Sequence, residues 1–250
     1  MRLIVSKFVE MTYEDRISQN LVVWRRKMLR SPGVFNHLSK TIQDKINSWI
    51  PEKVHQGITA TMKQLVRAVL FGARWTTKEK KNYASLAAMD LAVIETIKIY
   101  RNTAATEGAI TGAGGLLLGL ADFPILLALK IKLLFEIASI YGYDLKDYKE
   151  RLFILHIFQL AFSSAKHRKN VFLQMEDWDK KARELPEDIN QFDWRNFQQE
   201  YRDYIDLAKM AQLVPIIGAP VGAVANYQLV KKLGRTAMNA YHLRKLGDGK

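Results

Sequence analysis

Apolar residues recur at helical spacing along most of the chain, and no stretch alternates in the way a half-buried strand would. Over residues 13–30, Ile17, Leu21, Trp24 and Met28 fall every three or four positions, predicting an amphipathic helix closed by Ser31-Pro32-Gly33. Phe35, Leu38, Ile42, Ile46 and Trp49 mark a second helix ending at Pro51. Val54, Ile58, Met62, Leu65 and Val69 mark a third, from Glu52 to about Ala73. A fourth spans residues 77–102, with Thr77 as its expected N-cap. Its small, apolar middle contains Asp90, which needs a partner if buried. Capping by a nearby Arg or Ser is favoured over catalysis.

The pattern changes at residues 104–128, where Gly108, Gly112, Gly115 and Gly119 recur at spacings of four, three and four. On one helix this spacing draws a continuous stripe without side chains. Glycine costs about 1 kcal/mol per helical position relative to alanine, so such a row calls for a backbone or lipid chain lying against it. The run Gly108–Leu129 is apolar apart from Asp122, with Pro124 close by. It predicts two helical arms rather than a single membrane span. The first ends near Leu120, and Asp122 caps the second, with Pro124 in its opening turn. That second arm, Phe123 to Tyr141, is apolar nearly all round and should be buried, with Gly142 as its stop. Lys130, Lys132 and Glu136 argue against a lipid-immersed span, and Lys132 and Glu136 have the spacing of a helical pair.

A further dense helix runs from Lys149 to about Ser164 and contains His156, which reads as a core histidine. Residues 166–192 are polar and predict a loop, excursion or lid. A long helix resumes at Asp193, and Pro215 ends or bends it. Gly218-Ala219-x-x-Gly222-Ala223 then repeats Gly108-Ala109-x-x-Gly112-Ala113, which suggests that the two segments pack backbone to backbone. A basic helix, Leu229 to Leu246, closes the chain with Lys231, Lys232, Arg235, Arg244 and Lys245.

Composition adds location to this pattern. The 250 residues carry a net charge of +13, distributed unevenly. Residues 1–102 hold 18 basic against 8 acidic side chains, residues 103–145 hold 2 against 4, and residues 213–250 hold 6 against 1. Basic ends around an apolar centre suit an anionic surface, with Arg25, Arg26, Lys27, Arg30, Lys231 and Lys232 as the contacts. Solvated helix faces are the plain alternative. The absence of cysteine excludes disulfides, thiolate catalysis and zinc–thiolate sites, and fits a reducing cytoplasm. The first sixteen residues lack the apolar run of a signal peptide.

The glycines belong to no phosphate-binding loop, because no G-x-x-x-x-G-K-[ST] occurs and no strand precedes them. No metal-ligand spacing or nucleophile elbow is present, so no cofactor, metal or catalytic residue is expected. An enzyme of unknown reaction on a lipid or peptide would have to assemble separated carboxylates such as Glu107, Asp122 and Asp206. A soluble lipid carrier, with glycine helices lining its cavity, is another reading. Nucleic acid is disfavoured as a partner, since no finger, RNP motif or basic zipper is found.

Several stretches together resemble the EcsC protein family. They include Trp24-Arg25-Arg26-Lys27-Met28 and Thr41-Ile42-Gln43-Asp44-Lys45-Ile46-Asn47. The most specific is Thr106-Glu107-Gly108-Ala109-x-Thr111-Gly112-x-Gly114-Gly115, continuing through Leu120-Ala121-Asp122-Phe123-Pro124. Late in the chain, Gln199-Glu200-Tyr201-Arg202-Asp203 and Ile216-x-Gly218-Ala219-x-Val221-Gly222-Ala223 lead to Asn226-Tyr227. The resemblance implies a bacterial, non-enzymatic accessory of an Ecs-type ABC-transporter system at the cytoplasmic face of the membrane. Its implied partners are the membrane surface or membrane transporter subunits, with lipid a further candidate. Both lines lead to an all-α, multi-helix bundle with a central Gly-rich helical hairpin, forming one domain over residues 1–250. Within it, Gly108, Gly112, Gly115, Gly119, Asp122, Pro124, Gly218, Gly222 and Asn226 are the expected packing or partner-binding positions.

Overall fold

The computed structural model describes residues 11–30, 52–71, 82–113, 115–164, 167–193, 197 and 219–247. Three long helices carry its centre: α3 (Leu86–Ala113), α4 (Gly115–Ile140) and α8 (Ala219–Gly247). Around them stand α1 (Tyr13–Leu29), α2 (Glu52–Phe71) and α5 (Tyr148–Phe162), with the short α6 (Arg168–Met175) and α7 (Trp178–Glu184). The described residues form eight α-helices and no strand, an all-α bundle as the periodicity predicts.

The core is built on α4 and α5, the two segments whose sequence is apolar on every side. Leu126, Leu127, Ile131, Leu133, Leu134, Phe135 and Ile137 are buried on α4, and every residue of α5 from Leu152 to Phe162 is buried. Burying a large aliphatic or aromatic side chain contributes roughly 1.5–3 kcal/mol, so this pair dominates the stability of the bundle. Between them the chain turns at Gly142, whose φ of 87° belongs to the left-handed region that glycine adopts without strain. The Tyr143 N–H donates to the Ala138 carbonyl and the Gly142 N–H to that of Ser139, completing a Schellman stop at the position expected for it.

The ends of other elements are fixed by equally local chemistry. Thr12 and Asp15 cap α1 reciprocally: the Asp15 N–H donates to the Thr12 hydroxyl at 3.1 Å, and the Thr12 N–H to the Asp15 carboxylate at 3.0 Å. Asp147 caps α5 by accepting from the Lys149 N–H at 2.8 Å. Arg151 on α5 donates to the Leu70 carbonyl near the end of α2 and to the Leu145 and Lys146 carbonyls of the turn before its own helix.

The structure corrects the expected layout of the glycine segment. Residues 86–113 form one helix and residues 115–140 the next, so the second runs unbroken through Ala121–Asp122 instead of turning there. Asp122 therefore does not cap a helix, and Pro124 sits inside α4 rather than in its opening turn. Local preference favoured a break there, since an interior proline forfeits one backbone hydrogen bond. The apolar arms flanking Pro124 are instead packed as one rod, and burial of Phe123, Leu126 and Leu127 on that rod outweighs the lost bond. The four glycines do not share a helix. Gly108 and Gly112 lie on α3, and Gly115 and Gly119 on α4.

The polar stretch at 166–192 is also more ordered than its composition suggests. It contains α6 and α7, and it buries Val171, Phe172, Met175 and Trp178 in the main core. Four apolar anchors in a charged run hold the excursion down. The predicted helix at 35–49, the Thr77 cap and the helix after Asp193, apart from Phe197, lie outside the described residues.

Candidate functional site

Among the described residues, helices α3 and α8 form the most extensive pairing, and they run antiparallel. Three contacts set the register: His242 meets Asp90, Gly234 meets Ile97, and Tyr227 lies under the Arg101 guanidinium at 4.6 Å. Helix α4 packs against both partners, antiparallel to α3 and parallel to α8. Along this three-helix seam the buried polar side chains occur at separate levels, with apolar packing between them.

At one end lies Asp90, only 1% exposed. Its carboxylate accepts from the Tyr13 hydroxyl of α1 at 2.5 Å and from the Tyr141 hydroxyl just beyond α4 at 2.5 Å. The His242 imidazole of α8 completes the set, with Nε2 at 2.7 Å. Burial works to raise the Asp90 pKa, but the bonds from His242, Tyr13 and Tyr141 prevail and hold it below the ordinary carboxylate value. Tyr13 is pushed up to about 12, by burial first and then by its bond to Asp90, so it stays a hydroxyl donor. The sequence reading expected an Arg or Ser partner for Asp90; the partners are a histidine and two tyrosines from other parts of the chain. With three donors in place, the carboxylate is an anchor joining four segments.

Half-way along, Tyr100 of α3 donates to the Glu136 carboxylate of α4 at 2.6 Å. This carboxylate turns to α3, whereas the helical spacing pointed to Lys132.

At the other end, Lys130 of α4 is completely buried. Its ammonium donates to the Asn226 side-chain oxygen of α8 at 3.0 Å and to the Leu126 carbonyl at 3.3 Å. Burial lowers its pKa to about 7, and the charge of Glu107 on α3 opposes that fall. Glu107 and Asn226, both singled out from the sequence, thus stand around a lysine that was not. Lys130 read only as an argument against a membrane span, because helical periodicity tells which face a residue occupies and not what it meets across the bundle. A lysine titrating near neutrality can carry or release a proton at physiological pH, which an ordinary surface lysine cannot.

The remaining expected positions are placed as follows. Gly222 lies in the first turn of α8, at the end of the seam that holds Asn226, and Pro124 is exposed on α4. Gly218 and Asp206 lie outside the described residues. Arg25, Arg26 and Lys27 are exposed on α1, and Arg30 is its exposed C-cap. Arg25 is paired with Glu176 at 2.5 Å. Lys232 is exposed and Lys231 half-buried on α8, level with Ile97 to Arg101 of α3. Arg25 lines a cleft with Leu243, Arg244 and Gly247, so eleven to fifteen residues of α8, roughly 17–22 Å of helix, separate Lys232 from that cleft. Among the described residues, no group of three or more His, Asp or Glu side chains could hold a metal ion, and no helix is long and apolar enough to cross a membrane.

The model of the EcsC protein family matches residues 15–246, nearly the whole chain. The chain belongs to the EcsC family. It is 45% identical over 239 residues to Protein EcsC of Bacillus subtilis (strain 168), covering 95% of this chain and 98% of that one. It is also 34% identical over 147 residues to the Uncharacterized protein YdbA of the same strain, covering 58% of this chain and 53% of that protein. No solved structure matches the chain. The match to the EcsC model takes in α1 from Asp15, so the Asp90 and Lys130 centres both fall inside it, and Tyr13 alone of their residues precedes it.

A second ionic centre binds the polar excursion to this family domain. Arg244 of α8 is bidentate to Glu150 of α5, at 2.7 and 2.8 Å, and also pairs with Asp179 of α7. Its guanidinium lies 3.9 Å from the centre of the Tyr143 ring and 4.7 Å from that of Phe153. Arg244 was expected on a basic surface helix. It is instead buried, because helical position on α8 turns it toward α5 and away from Lys245.

Proposed function

We propose that this chain is a non-enzymatic accessory protein of an Ecs-type ABC-transporter system, acting at the cytoplasmic face of the membrane. The observation that carries this reading is the outward face of α1. Leu21 and Met28 are buried and Ile17 and Trp24 half-buried on one side of the helix, and Arg16, Arg26, Lys27 and Arg30 are exposed on the other. Val22 and Val23 stand exposed among these cations, at 50% and 67%. A face of cations with apolar side chains between them suits an anionic headgroup layer, where each Lys or Arg contributes about 1 kcal/mol. The Asp90 centre ties α1, through Tyr13, to α3 and α8 and so supports this face.

Co-sedimentation of the full chain with vesicles of mixed neutral and anionic phospholipid tests the surface contact. Binding should fall as salt rises and should weaken in Arg26→Glu/Lys27→Glu. Recovery in the supernatant at low salt would overturn direct lipid contact. Co-purification with the Ecs ATPase and membrane subunits tests the transporter association separately.

A further inference from the structure

A cleft of about 600 Å³ opens between α5, α6, α7 and Phe192, Asp193 and Phe197, with no lining residue from α3, α4 or α8. Its walls are mainly apolar, with Leu173, Trp178, Phe192 and Phe197 among the lining residues. The aromatic rings brace one another: Phe192 stands edge-on to Phe197 at 5.8 Å, and His156 edge-on to both Trp178 and Phe197 at 5.5 and 5.6 Å. A site of this size with mainly apolar walls and a handful of polar groups has the form of a small-molecule pocket.

His156, Asn170, Gln174, Lys181 and Asp193 are the polar residues of its lining. His156 is 7% exposed and holds the Gln159 side-chain oxygen at 3.3 Å through Nδ1. Burial lowers its pKa to about 4, so it is neutral and brings a hydrogen-bonding nitrogen without charge. Lys181 of α7 also lines the cleft, and its ammonium is held there by the Leu173 carbonyl. The indole N–H of Trp178, on a residue only 4% exposed, has no hydrogen-bond partner. Asp193 belongs to the lining as well but is exposed. Among these groups the half-buried Lys181 ammonium supplies the cleft's positive charge, while its walls are mainly apolar.

We infer that this cleft binds an amphipathic monocarboxylate, with the acyl chain along Leu173, Phe192 and Phe197 and the carboxylate at Lys181. The apolar walls select the chain, and the ammonium selects an anionic head over a neutral or cationic one. Leu173, a large apolar residue 39% exposed at this cleft, is covered by the bound chain. The site is independent of the membrane-surface reading, since it shares no residue with the exposed face of α1.

Calorimetric titration of the full chain with decanoate, below its micellar range and without vesicles, tests the assignment. Decanoate should bind with a stoichiometry of one, and decanol, of equal chain length, about tenfold more weakly. Lys181→Gln should bring decanoate down to the level of decanol and leave decanol unchanged. Lys181→Arg, which keeps the charge, should preserve the preference for the acid. Leu173→Asp, which puts a charge on the apolar wall, should weaken both ligands while the native circular dichroism is kept. Absence of saturable decanoate binding would overturn the inference, as would equal affinity for acid and alcohol. So would a Lys181→Gln chain that keeps its native circular dichroism and still prefers decanoate.

Discussion

Ile97 of α3 occupies the space that a side chain at Gly234 of α8 would need. A Cβ at Gly234 would stand 2.5 Å from both Cγ1 and Cδ1 of Ile97 and 3.2 Å from Cγ2. Contacts that short do not occur between real side chains, and Ile97 is buried with a branched, stiff χ1, so it cannot simply swing away. The close approach of α3 and α8 at this level thus depends on the absence of a single methyl group.

Gly234→Ala should therefore destabilise the bundle although alanine is the better helix former. Propensity favours the substitution by about 1 kcal/mol, and overpacking costs about 1–3 kcal/mol, so a net loss of about 1 kcal/mol is expected. Urea unfolding of Gly234→Ala, Ile97→Ala and the double variant would measure it. The two changes should be non-additive, with the double variant more stable than the sum of the singles predicts. Strict additivity would show that the helices separate freely at this level.

Sequence and structure differ here in an instructive way. Glycine in a helix is unfavourable unless something lies against it, and that much was legible. The particular glycine was not. The spaced set at 108–119, which the chain divides between α3 and α4, carries a repeat, whereas Gly234 of α8 lies twelve residues from Gly222 and thirteen from Gly247 and has no helical repeat to mark it. The all-α class and the burial of α4 and α5 followed from apolar density. The polar centres did not, because Asp90 and His242 are 152 residues apart and Lys130 and Asn226 are 96 apart. Periodicity reports one helix at a time, and such pairs exist only once the helices are docked.

Asp90 should make the chain sensitive to acid. Its folded pKa lies below its ordinary value near 3.8, so the unfolded chain takes up this proton first as pH falls. The stabilisation is fully present above the unfolded value and is lost as pH drops through the folded one. Thermal unfolding between pH 6 and 3 should show a smaller loss in Asp90→Asn than in the parent over the same window. Asp90→Ala, which strands His242 and Tyr141 without their acceptor, should cost about 3–5 kcal/mol at neutral pH. A parent and an Asn variant with parallel pH profiles would mean that this carboxylate contributes nothing to acid unfolding.

Lys130 acts in the opposite pH direction. Its folded pKa is lowered from 10.5 to about 7, so above pH 7 the unfolded chain binds a proton that the folded chain has released. Stability must then rise with pH from about 7 toward 10 and be lowest, as far as this group is concerned, where the buried amine is charged. Beyond pH 10 the sign reverses, because Tyr100 and Tyr141 are raised by burial and by their carboxylate partners and keep protons that the unfolded chain has lost. The measurable window is therefore pH 7.5 to 9.5, where the parent should gain on the order of 1–3 kcal/mol. Lys130→Met, which keeps the length of the side chain and removes the titration, should have a flat profile there. Hydrogen-exchange or urea unfolding series on both chains would compare the slopes directly. If the methionine variant shows the parental slope, the lysine is charged in the folded bundle and Glu107 and Asn226 hold it as an ion rather than as an amine.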